Sequence, residues 1–398
     1  MNTTRRWSDV YNKPFDSNKR KFQVHVEAST RCNSRCVFCP RFLDLSPVTD
    51  PSLVLDEIKF DRFKLWFTPS ILKDAYRFHF CGNFGDPTAC TELDKIVEYL
   101  AENSSSKIIV RTNGGARNVK FWQTLGKHLN SPDRNVVFSV DGLEDTNHLY
   151  RREVKWNNII KNIETFVDAG GYCEQDFLVF KHNEHQLEEA KALATRLGIK
   201  KINIKTAFGF DWEADKAYVP IPALDKNGDL THWLEKPDLH KLPEYSDSKF
   251  TKEYMLEYKQ SKTKTLLANP NIPREDIITE EFKKEIEGST IRCIAHSEPH
   301  PEFYLNPDGT LAPCCHMAFL KQPKLPTDDH HTRENLKPYT DLNLNFNSLP
   351  SILKILDNKI ADKWNVSHKE GRSITCSKTC GVRQTNIRTK KNITEKKL

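Results

Sequence analysis

Three cysteines, Cys32, Cys36 and Cys39, lie within eight residues of one another near the start of the chain. Thiolates this close in sequence can bind one metal centre together, and as soft ligands they favour iron–sulfur clusters or zinc over magnesium or calcium. A four-iron cluster bound by three cysteines keeps one iron open, and an open iron can bind a small molecule. The alternative is a structural zinc site whose fourth ligand comes from elsewhere in the chain.

The remaining cysteines favour metal chemistry over disulfides. The chain has eleven cysteines, of which Cys376 and Cys380 form a second pair with metal-like spacing. Residues 1–20 are polar and lack the apolar segment of a signal peptide, so we expect a cytoplasmic protein with reduced thiols. In such a compartment, closely spaced cysteines are more often metal ligands than disulfide partners.

The elements that must position the first three cysteines alternate regularly. Apolar, β-branched or aromatic segments alternate with amphipathic helical stretches, which implies parallel strands with right-handed crossovers. We therefore predict an α/β fold, an open partial (β/α)6 TIM-like barrel. The predicted strands are Phe22 to Ser29, Tyr76 to Cys81, Lys107 to Thr112, Asn135 to Val140, Tyr172 to Lys181 and Lys200 to Thr206. The predicted helices are Thr91 to Glu102, Val119 to His128, Asn157 to Ala169 and Glu184 to Leu197.

The loops that follow the strands carry the conspicuous residues. The cysteine loop, Cys32 to Cys39, follows the first strand, and the glycine loop, Gly82 to Pro87, follows the second. Asn113 to Gly115 follow the third strand, and Asp141-Gly142 the fourth. Since loops at the carboxyl ends of parallel strands meet at one edge of such a fold, we expect all four at a single rim.

Composition changes divide the rest of the chain. Residues 1–20 are expected to be a loose arm, 21–207 the (β/α)6 core, 208–290 an insertion with short helices such as Lys252 to Lys262, and 384–398 a basic tail. Between the last two, residues 291–383 read as a small auxiliary domain. Within it, Asn306-Pro307-Asp308-Gly309 predicts the turn of a small β-hairpin.

Charge and hydropathy exclude some functions. A net charge of +6 on 398 residues, with 60 basic and 54 acidic side chains, is far from the concentrated basic patches of dedicated nucleic-acid-binding proteins. No apolar run approaches the roughly 20 residues that cross a bilayer. We expect no membrane partner, and a nucleic-acid partner is not indicated.

The cysteine loop, with three and then two residues between its cysteines and Phe38 before the last, resembles the radical S-adenosylmethionine (SAM) enzymes. The resemblance implies that Cys32, Cys36 and Cys39 hold a [4Fe-4S] cluster whose open iron chelates SAM. One electron from the cluster then releases a 5'-deoxyadenosyl radical, which abstracts hydrogen from a substrate. Phe38 is expected near the adenine.

Other motifs of that family follow in the expected order. Gly85 and Asp86 stand in the glycine-rich motif that contacts the SAM ammonium, with Asp in place of the usual Glu. The resemblance further implies that Asn113 and Ser139 hydrogen-bond the SAM ribose or carboxylate, and that Arg151 pairs with the carboxylate.

The C-terminal cysteines are similar to the auxiliary-cluster domain called SPASM, in its reduced Twitch form. The match rests on Cys293 and Cys314 with Gly309 between them, followed by Cys376 and Cys380. It implies a second, auxiliary [4Fe-4S] cluster. Structural zinc is the competing occupant, and Cys315 can replace its neighbour Cys314 as a ligand.

Together these features predict a radical SAM oxidoreductase. The expected substrate is a peptide or protein side chain, with a sugar-like alcohol as the second choice, and the expected electron donor is a flavodoxin or ferredoxin. Two alternatives remain open. One is a non-catalytic zinc-binding interaction protein with two Cys-rich sites, and the other is an iron–sulfur electron carrier that no longer cleaves SAM.

Overall fold

The computed structural model describes residues 22–42, 47–206, 220–237, 289–291, 300–321, 336–360 and 380–383, with the single residues Ala295, Glu370, Ser373 and Cys376. The predicted arm, the basic tail, the helix Lys252 to Lys262 and Cys293 all lie outside the described residues. Of the insertion, residues 220–237 and 289–290 are described.

Twelve strands and eight helices occur in the described residues. The strands are β1 (Phe22–Val26), β2 (Ala75–Phe80), β3 (Lys107–Thr112), β4 (Arg134–Ser139), β5 (Cys173–Val179), β6 (Lys201–Thr206), β7 (Ile221–Leu224), β8 (Leu230–Leu234), β9 (Ser289–Ile291), β10 (Glu302–Leu305), β11 (Leu311–Ala312) and β12 (Gly381–Arg383). The helices are α1 (Phe60–Trp66), α2 (Pro69–Leu72), α3 (Leu93–Asn103), α4 (Val119–His128), α5 (Asn147–Tyr150), α6 (Trp156–Asp168), α7 (Leu187–Arg196) and α8 (Leu349–Lys359).

One eight-stranded sheet is the centre of the fold. Its strand order is β11-β10-β1-β2-β3-β4-β5-β6. The pairs from β10 through β6 are parallel, and only β11 is antiparallel. Within the described ranges the sheet does not close into a barrel. The architecture is thus an α/β fold with a parallel sheet, which is consistent with the expected open (β/α)6 arrangement.

The two faces of this sheet differ in chemistry. Val24, Phe78, Val110 and Phe138 are fully buried in the core that the helices share. The ring of Phe138, for example, lies 5.4 Å from that of Trp122 in α4. Full burial of such a side chain contributes roughly 1.5–3 kcal/mol, so this face holds the helices. The opposite face carries polar residues such as His25, His79 and Arg111 beside a few apolar ones, Ile109 and Val137.

Helix starts follow local sequence signals. The Asn118 side chain accepts a hydrogen bond from the Phe121 amide at 3.0 Å and caps α4. Ser348 caps α8 in the same way, with Pro350 in the first helical turn. Such caps satisfy amides that have no partner within the helix, which contributes about 1 kcal/mol each.

The C-terminal hairpin joins the main sheet. Its strand β10 pairs in parallel with β1, in the register Gln23 opposite Glu302 and Val26 opposite Leu305. The predicted turn is present, with the Gly309 amide bonded to the Asn306 carbonyl at 3.0 Å and Gly309 at φ +90°. A left-handed φ of this kind favours glycine.

A second hairpin, β7–β8, lies in the predicted insertion. We call it the bridging hairpin. Ile221, Ala223 and Leu234 are buried together with Val37 of the cysteine loop and Phe180, which follows β5. Part of the insertion therefore packs directly on the cysteine loop.

No helix in the described ranges is both long enough and apolar enough to span a membrane.

Candidate functional site

The cysteine loop is tied to the chain that follows β4. The Arg35 amide donates to the Arg152 carbonyl at 3.0 Å, and the Val37 amide to the Tyr150 carbonyl at 3.1 Å. The Ser34 hydroxyl also donates to the Arg152 carbonyl, at 3.2 Å. The loop has no regular secondary structure of its own, so these bonds fix its path.

The three thiols lie in a mostly buried environment. All three cysteines are half-buried as residues. Burial raises the pKa of Cys39 to about 12 and the pKa of Cys32 well above its usual range. The Arg151 guanidinium lies 3.8 Å from Cys36 Sγ, and the Ser34 hydroxyl lies 3.0 Å from the same sulfur. A thiolate in such surroundings needs positive charge beside it, which bound metal supplies.

Metal-ligand geometry bears on the type of centre. Among the described residues, no group of three or more His, Cys, Asp or Glu side chains converges on the position of a single metal ion. A four-iron cluster has no need of such convergence, because each of its cysteines binds a different iron atom. Three soft thiols beside an arginine are a donor set that fits an iron–sulfur cluster.

The glycine loop is held by the carboxylate of Glu27, the residue that follows β1. Glu27 is fully buried, and its carboxylate accepts the amides of Asn83 at 2.7 Å, Phe84 at 3.2 Å and Gly85 at 3.0 Å. The Tyr304 hydroxyl of β10 also donates to it. Burial raises the pKa of Glu27, and these four hydrogen bonds lower it. Burial outweighs them, and the resulting pKa is about 7.

Both glycines of this loop stand where a side chain has no room. A Cβ at Gly82 would lie 2.0 Å from the Gly85 carbonyl oxygen, and a Cβ at Gly85 would lie 2.0 Å from the Ser29 carbonyl oxygen. The Asp86 amide donates to the Arg31 carbonyl at 2.9 Å. The glycine loop thus packs backbone to backbone against the start of the cysteine loop.

The Asp86 carboxylate faces the protein interior. It accepts hydrogen bonds from the amide and hydroxyl of Thr88, from the Thr112 hydroxyl and from the amide and side chain of Asn113, all between 2.6 and 2.9 Å. Its lone pairs are therefore used by the protein. This bonding favours a positioning role for Asp86 over direct contact of its side chain with a ligand.

Asn113 links two of the loops. Its Nδ2 donates to Asp86 Oδ2 at 2.8 Å and to Asn33 Oδ1 at 2.9 Å, and Asn33 Nδ2 donates back to Asn113 Oδ1 at 3.2 Å. Asn33 follows the first cysteine directly. The chain Asp86–Asn113–Asn33 therefore connects the glycine loop, the end of β3 and the cysteine loop.

Arg41 adds a second clamp between the same two loops. This side chain is buried, and its Nη1 donates to the Phe84 carbonyl at 2.8 Å and the Thr30 carbonyl at 3.2 Å. The arginine follows Cys39 by two residues, so it holds the end of the cysteine loop against the glycine loop.

The other residues predicted to contact SAM are Arg151, Ser139 and Phe38. Arg151 Nε donates to the fully buried Asp141 carboxylate at 2.5 Å, and burial raises the pKa of Asp141. Ser139 is half-buried at the end of β4, opposite Asp176 of β5. Phe38 is 45% exposed and has φ +64°.

The described auxiliary cysteines lie near one another. Cys314 follows β11, and its pKa is raised well above the usual value, first by burial and then by the charges of Cys315, Cys376 and Cys380. The Cys376 thiol lies 3.8 Å from Met317 Sδ. These thiols can interact electrostatically, whereas their predicted partner Cys293 lies outside the described residues.

Sequence reasoning missed several residues of the site. Glu27 follows a buried strand and belongs to none of the motifs, and Tyr304 lies 277 residues away from it. Arg41 also belongs to none of the motifs. Asn33 lies inside the cysteine loop itself, so its amide side chain was the one signal that could have been used.

Part of the chain is similar in sequence to a known protein family. A family model described as Radical SAM superfamily matches residues 26–194, which is less than half of the 398-residue chain. No curated protein matches the chain.

Three solved structures illustrate the similarity. Streptococcus suis SuiB bound to precursor peptide SuiA is 16% identical over 77% of this chain and 62% of that chain, with a TM-score of 0.43. Native anSMEcpe with bound AdoMet and Cp18Cys peptide is 14% identical over 90% and 89% of the two chains, with a TM-score of 0.46. TYW1 with a lysine-pyruvate adduct bound is 12% identical over 52% and 74%, with a TM-score of 0.33.

The chain spans less than two thirds of the length of SuiB. All three TM-scores lie below 0.5, so the similarity to the superfamily is argued from the sequence match alone. The matched segment contains the cysteine loop, the glycine loop and the Asp86–Asn113–Asn33 chain that joins them. Residues 26–194 are thus similar in sequence to the Radical SAM superfamily.

Proposed function

We propose that this chain is a radical SAM oxidoreductase that abstracts hydrogen from a peptide or protein side chain. The observation that carries the proposal is the hydrogen-bonded chain from Asp86 through Asn113 to Asn33. It links the glycine loop, the end of β3 and the cysteine loop, which are distant in sequence and carry three motifs of the resemblance. If Asp86 and Pro87 formed only a structural turn, a hydrogen-bonded connection to the cysteine loop would not be required.

The residues of this unit have distinct tasks. Cys32, Cys36 and Cys39 would hold a [4Fe-4S] cluster, and Arg151, fixed by Asp141, offsets the thiolate charge at Cys36. When bound, the cluster supplies the electron that cleaves SAM to a 5'-deoxyadenosyl radical.

The SAM contacts are proposed for residues at the same rim. The glycine loop, with three of its amides bound by Glu27, would present its backbone to the SAM ammonium. Asp86 would act through Asn113. The other proposed contact residues are Phe38, Gly85, Asn113, Ser139 and Arg151.

We further propose that Cys293, Cys314, Cys376 and Cys380 would hold an auxiliary [4Fe-4S] cluster, whose chemistry would be to take the electron from the substrate radical or to relay it. The mutual electrostatic influence of the three described thiols supports this. Cys315 is the substitute ligand for Cys314. A flavodoxin or ferredoxin is the proposed electron donor, and a sugar-like alcohol is the second choice of substrate.

Anaerobic reconstitution tests the proposal. The full chain should bind about eight irons in two four-iron clusters and form 5'-deoxyadenosine from SAM under reduction. Cys36→Ala should abolish this reaction. Cys173→Ala is the matched control, because Cys173 is a buried thiol at the start of β5, on the helix-covered face. A colourless protein with stoichiometric zinc would overturn the proposal.

The auxiliary cluster has its own test. Cys376→Ala should remove about four irons and leave part of the 5'-deoxyadenosine formation, because the first cluster starts the reaction. Loss of all iron in both Cys36→Ala and Cys376→Ala would contradict two independent clusters.

A further inference from the structure

The face of the sheet opposite the helices carries a layer of polar side chains near the carboxyl ends of the strands. We call it the polar layer, and it comprises His25 of β1, His79 of β2, Arg111 of β3, Asp176 of β5 and Lys205 of β6. None of these residues was singled out by a motif. The site described above uses none of them.

Direct contacts join the members of the layer. Arg111 Nε donates to His79 Nε2 at 3.0 Å, and Arg111 Nη1 is ion-paired with Asp176 Oδ2. Lys205 Nζ lies 2.9 Å from Asp176 Oδ1. The rings of His25 and His79 lie 5.1 Å apart. The Arg111 side chain is therefore held from two sides before any ligand binds.

Strand register places this layer beneath the candidate active site. Arg111 precedes Asn113 by two residues, and Asp176 lies opposite Ser139. Side chains two residues apart in a strand point to the same face about 7 Å apart. A substrate that reaches the rim from this face of the sheet would thus meet Arg111 close to the reacting centre.

The layer has an excess of positive charge. Burial lowers the pKa of His25 to about 4 and the pKa of His79 well below its usual value, so both rings are neutral at pH 7. Arg111 and Lys205 are cationic and share the single carboxylate of Asp176. One positive charge in the layer is left without a counter-charge among the described residues.

The neighbouring acids on this face have partners of their own. Below the layer, Glu174 accepts a hydrogen bond from Asn203 Nδ2 at 3.1 Å, and Glu302 pairs with Arg77 at 3.5 Å. Above it, Glu27 is occupied by three amides and Tyr304. The excess charge is therefore a local property of the polar layer.

The donors that remain are suited to a carboxylate. A guanidinium has five N–H donors, and the contacts of Arg111 use Nε and one hydrogen on Nη1. The Arg111 and Lys205 side chains are 29% and 42% exposed, whereas that of Asp176 is 12% exposed. The two cations are thus more exposed than the acid that orients them.

We propose that Arg111 and Lys205 bind a carboxylate of the substrate, with Asp176 and His79 as positioning residues. The inference rests on the proposed function, because it assigns this layer to the substrate of the same active site. The carboxylate belongs either to an acidic side chain or to a chain end.

Thermal unfolding of the full reconstituted chain tests the proposal. The probes are acetate, inorganic phosphate, acetylalanine and acetylaspartyl amide, each compared with sodium chloride at equal ionic strength and with SAM saturating. Acetate should raise the unfolding temperature saturably above the chloride control. Acetylalanine presents a main-chain carboxylate and acetylaspartyl amide a side-chain carboxylate, and tighter binding of either supports the site and identifies the source.

Variants locate the effect. Arg111→Gln should weaken acetate binding by about tenfold or more, and Lys205→Gln, an exposed change that should not disturb folding, should weaken it in the same direction. Lys201→Gln is the matched control on the same strand and should bind acetate as the unaltered chain does. Equal weakening in Lys201→Gln would mean a general charge effect and would overturn the proposal.

Three other results would also overturn it. The first is an acetate effect equal to that of chloride, and the second is tighter binding of phosphate than of every carboxylate. The third is an acetate effect that is present without SAM and lost with saturating SAM, because the SAM carboxylate then fills the site. Formation of 5'-deoxyadenosine by the unaltered chain is measured separately. Its absence would overturn the proposed function, while the thermal data would still decide carboxylate binding.

Discussion

At the level of single residues, two buried carboxylates, Glu27 and Asp86, hold the loops of the rim in place by hydrogen bonds. Asp86 was expected as a ligand contact because it stands in the glycine-rich motif. Five protein donors surround it instead, so its influence on a ligand would pass through Asn113. Glu27 was not expected at all, yet it binds three consecutive amides of the same loop. Both acids shape the backbone to which SAM is proposed to bind.

Asp86→Asn should destabilise the chain by roughly 2–4 kcal/mol. An Asn side chain has one acceptor oxygen and one amide group, and the amide would face donors on one side of the site, Thr88 and Thr112 or Asn113. Unfolding in urea measures the loss. Asp133→Asn is the control, because the Asp133 side chain is 66% exposed and forms a surface pair with Lys107, which should cost less than about 1 kcal/mol. Equal losses in the two variants would contradict the buried network.

Glu27 should make stability depend on pH. Its pKa is about 7 in the folded chain, against 4.5 for an ordinary Glu. Because the folded pKa is the higher one, the stabilising contribution is complete below pH 4.5 and is lost as the pH rises through 7, on the order of 3 kcal/mol over this window.

Urea unfolding at pH 5 and pH 8 tests this dependence, with Glu27→Gln as the non-titrating reference. The stability of the unaltered chain relative to Glu27→Gln should fall between the two pH values. A difference that stays flat or grows would mean that the four hydrogen bonds outweigh burial and keep Glu27 ionised.

At the level of elements, the bridging hairpin lies outside the predicted core and contacts the candidate site. It packs Ile221 and Leu234 against Val37 of the cysteine loop. The Lys181 amide donates to the Glu235 carbonyl at 3.0 Å, and His232 Nε2 lies 2.9 Å from the Leu149 carbonyl oxygen. The cysteine loop is thus covered by part of the segment that the sequence composition predicted to be an insertion.

Leu234→Ala should loosen the cysteine loop without unfolding the core. Leu234 is fully buried in the small cluster with Val37, and removal of such a side chain costs about 2–5 kcal/mol. Hydrogen exchange should speed up at the Arg35 and Val37 amides, whose partners lie beneath the hairpin, and stay slow in β3 and β4. Leu230→Ala on the same strand, where Leu230 is 42% exposed, should change neither. Faster exchange throughout the sheet would argue against a local cover.

At the level of the whole molecule, the sequence predicted what short-range patterns determine. Six strands and four helices followed from alternating apolar segments, and the loops that carry Cys32, Gly85 and Asn113 meet as expected because parallel strands end at one edge. Helices α1, α2 and α5 were missed, and so was the pairing of β10 with β1. That pairing joins residues 279 positions apart, such as Val26 and Leu305, and local periodicity contains no information on such contacts.

The same long-range pairing connects the C-terminal part to the rim through one hydroxyl. Tyr304 of β10 donates to Glu27, and this bond lowers the pKa of Glu27 against burial. Tyr304→Phe keeps the ring and its packing but removes the donor. The folded pKa of Glu27 should then rise further, and the loss of stability with pH should move to a higher pH range.

The expected cost of Tyr304→Phe is about 2 kcal/mol at pH 8, where Glu27 is ionised, and less at pH 5, where it is protonated. Tyr99→Phe is the control, since the Tyr99 hydroxyl donates to the Phe67 carbonyl at 2.9 Å, a neutral acceptor. Its cost should be the same at both pH values. If Tyr304→Phe also showed no pH dependence, β10 would support the rim by packing alone, and the charge state of Glu27 would be independent of the C-terminal part.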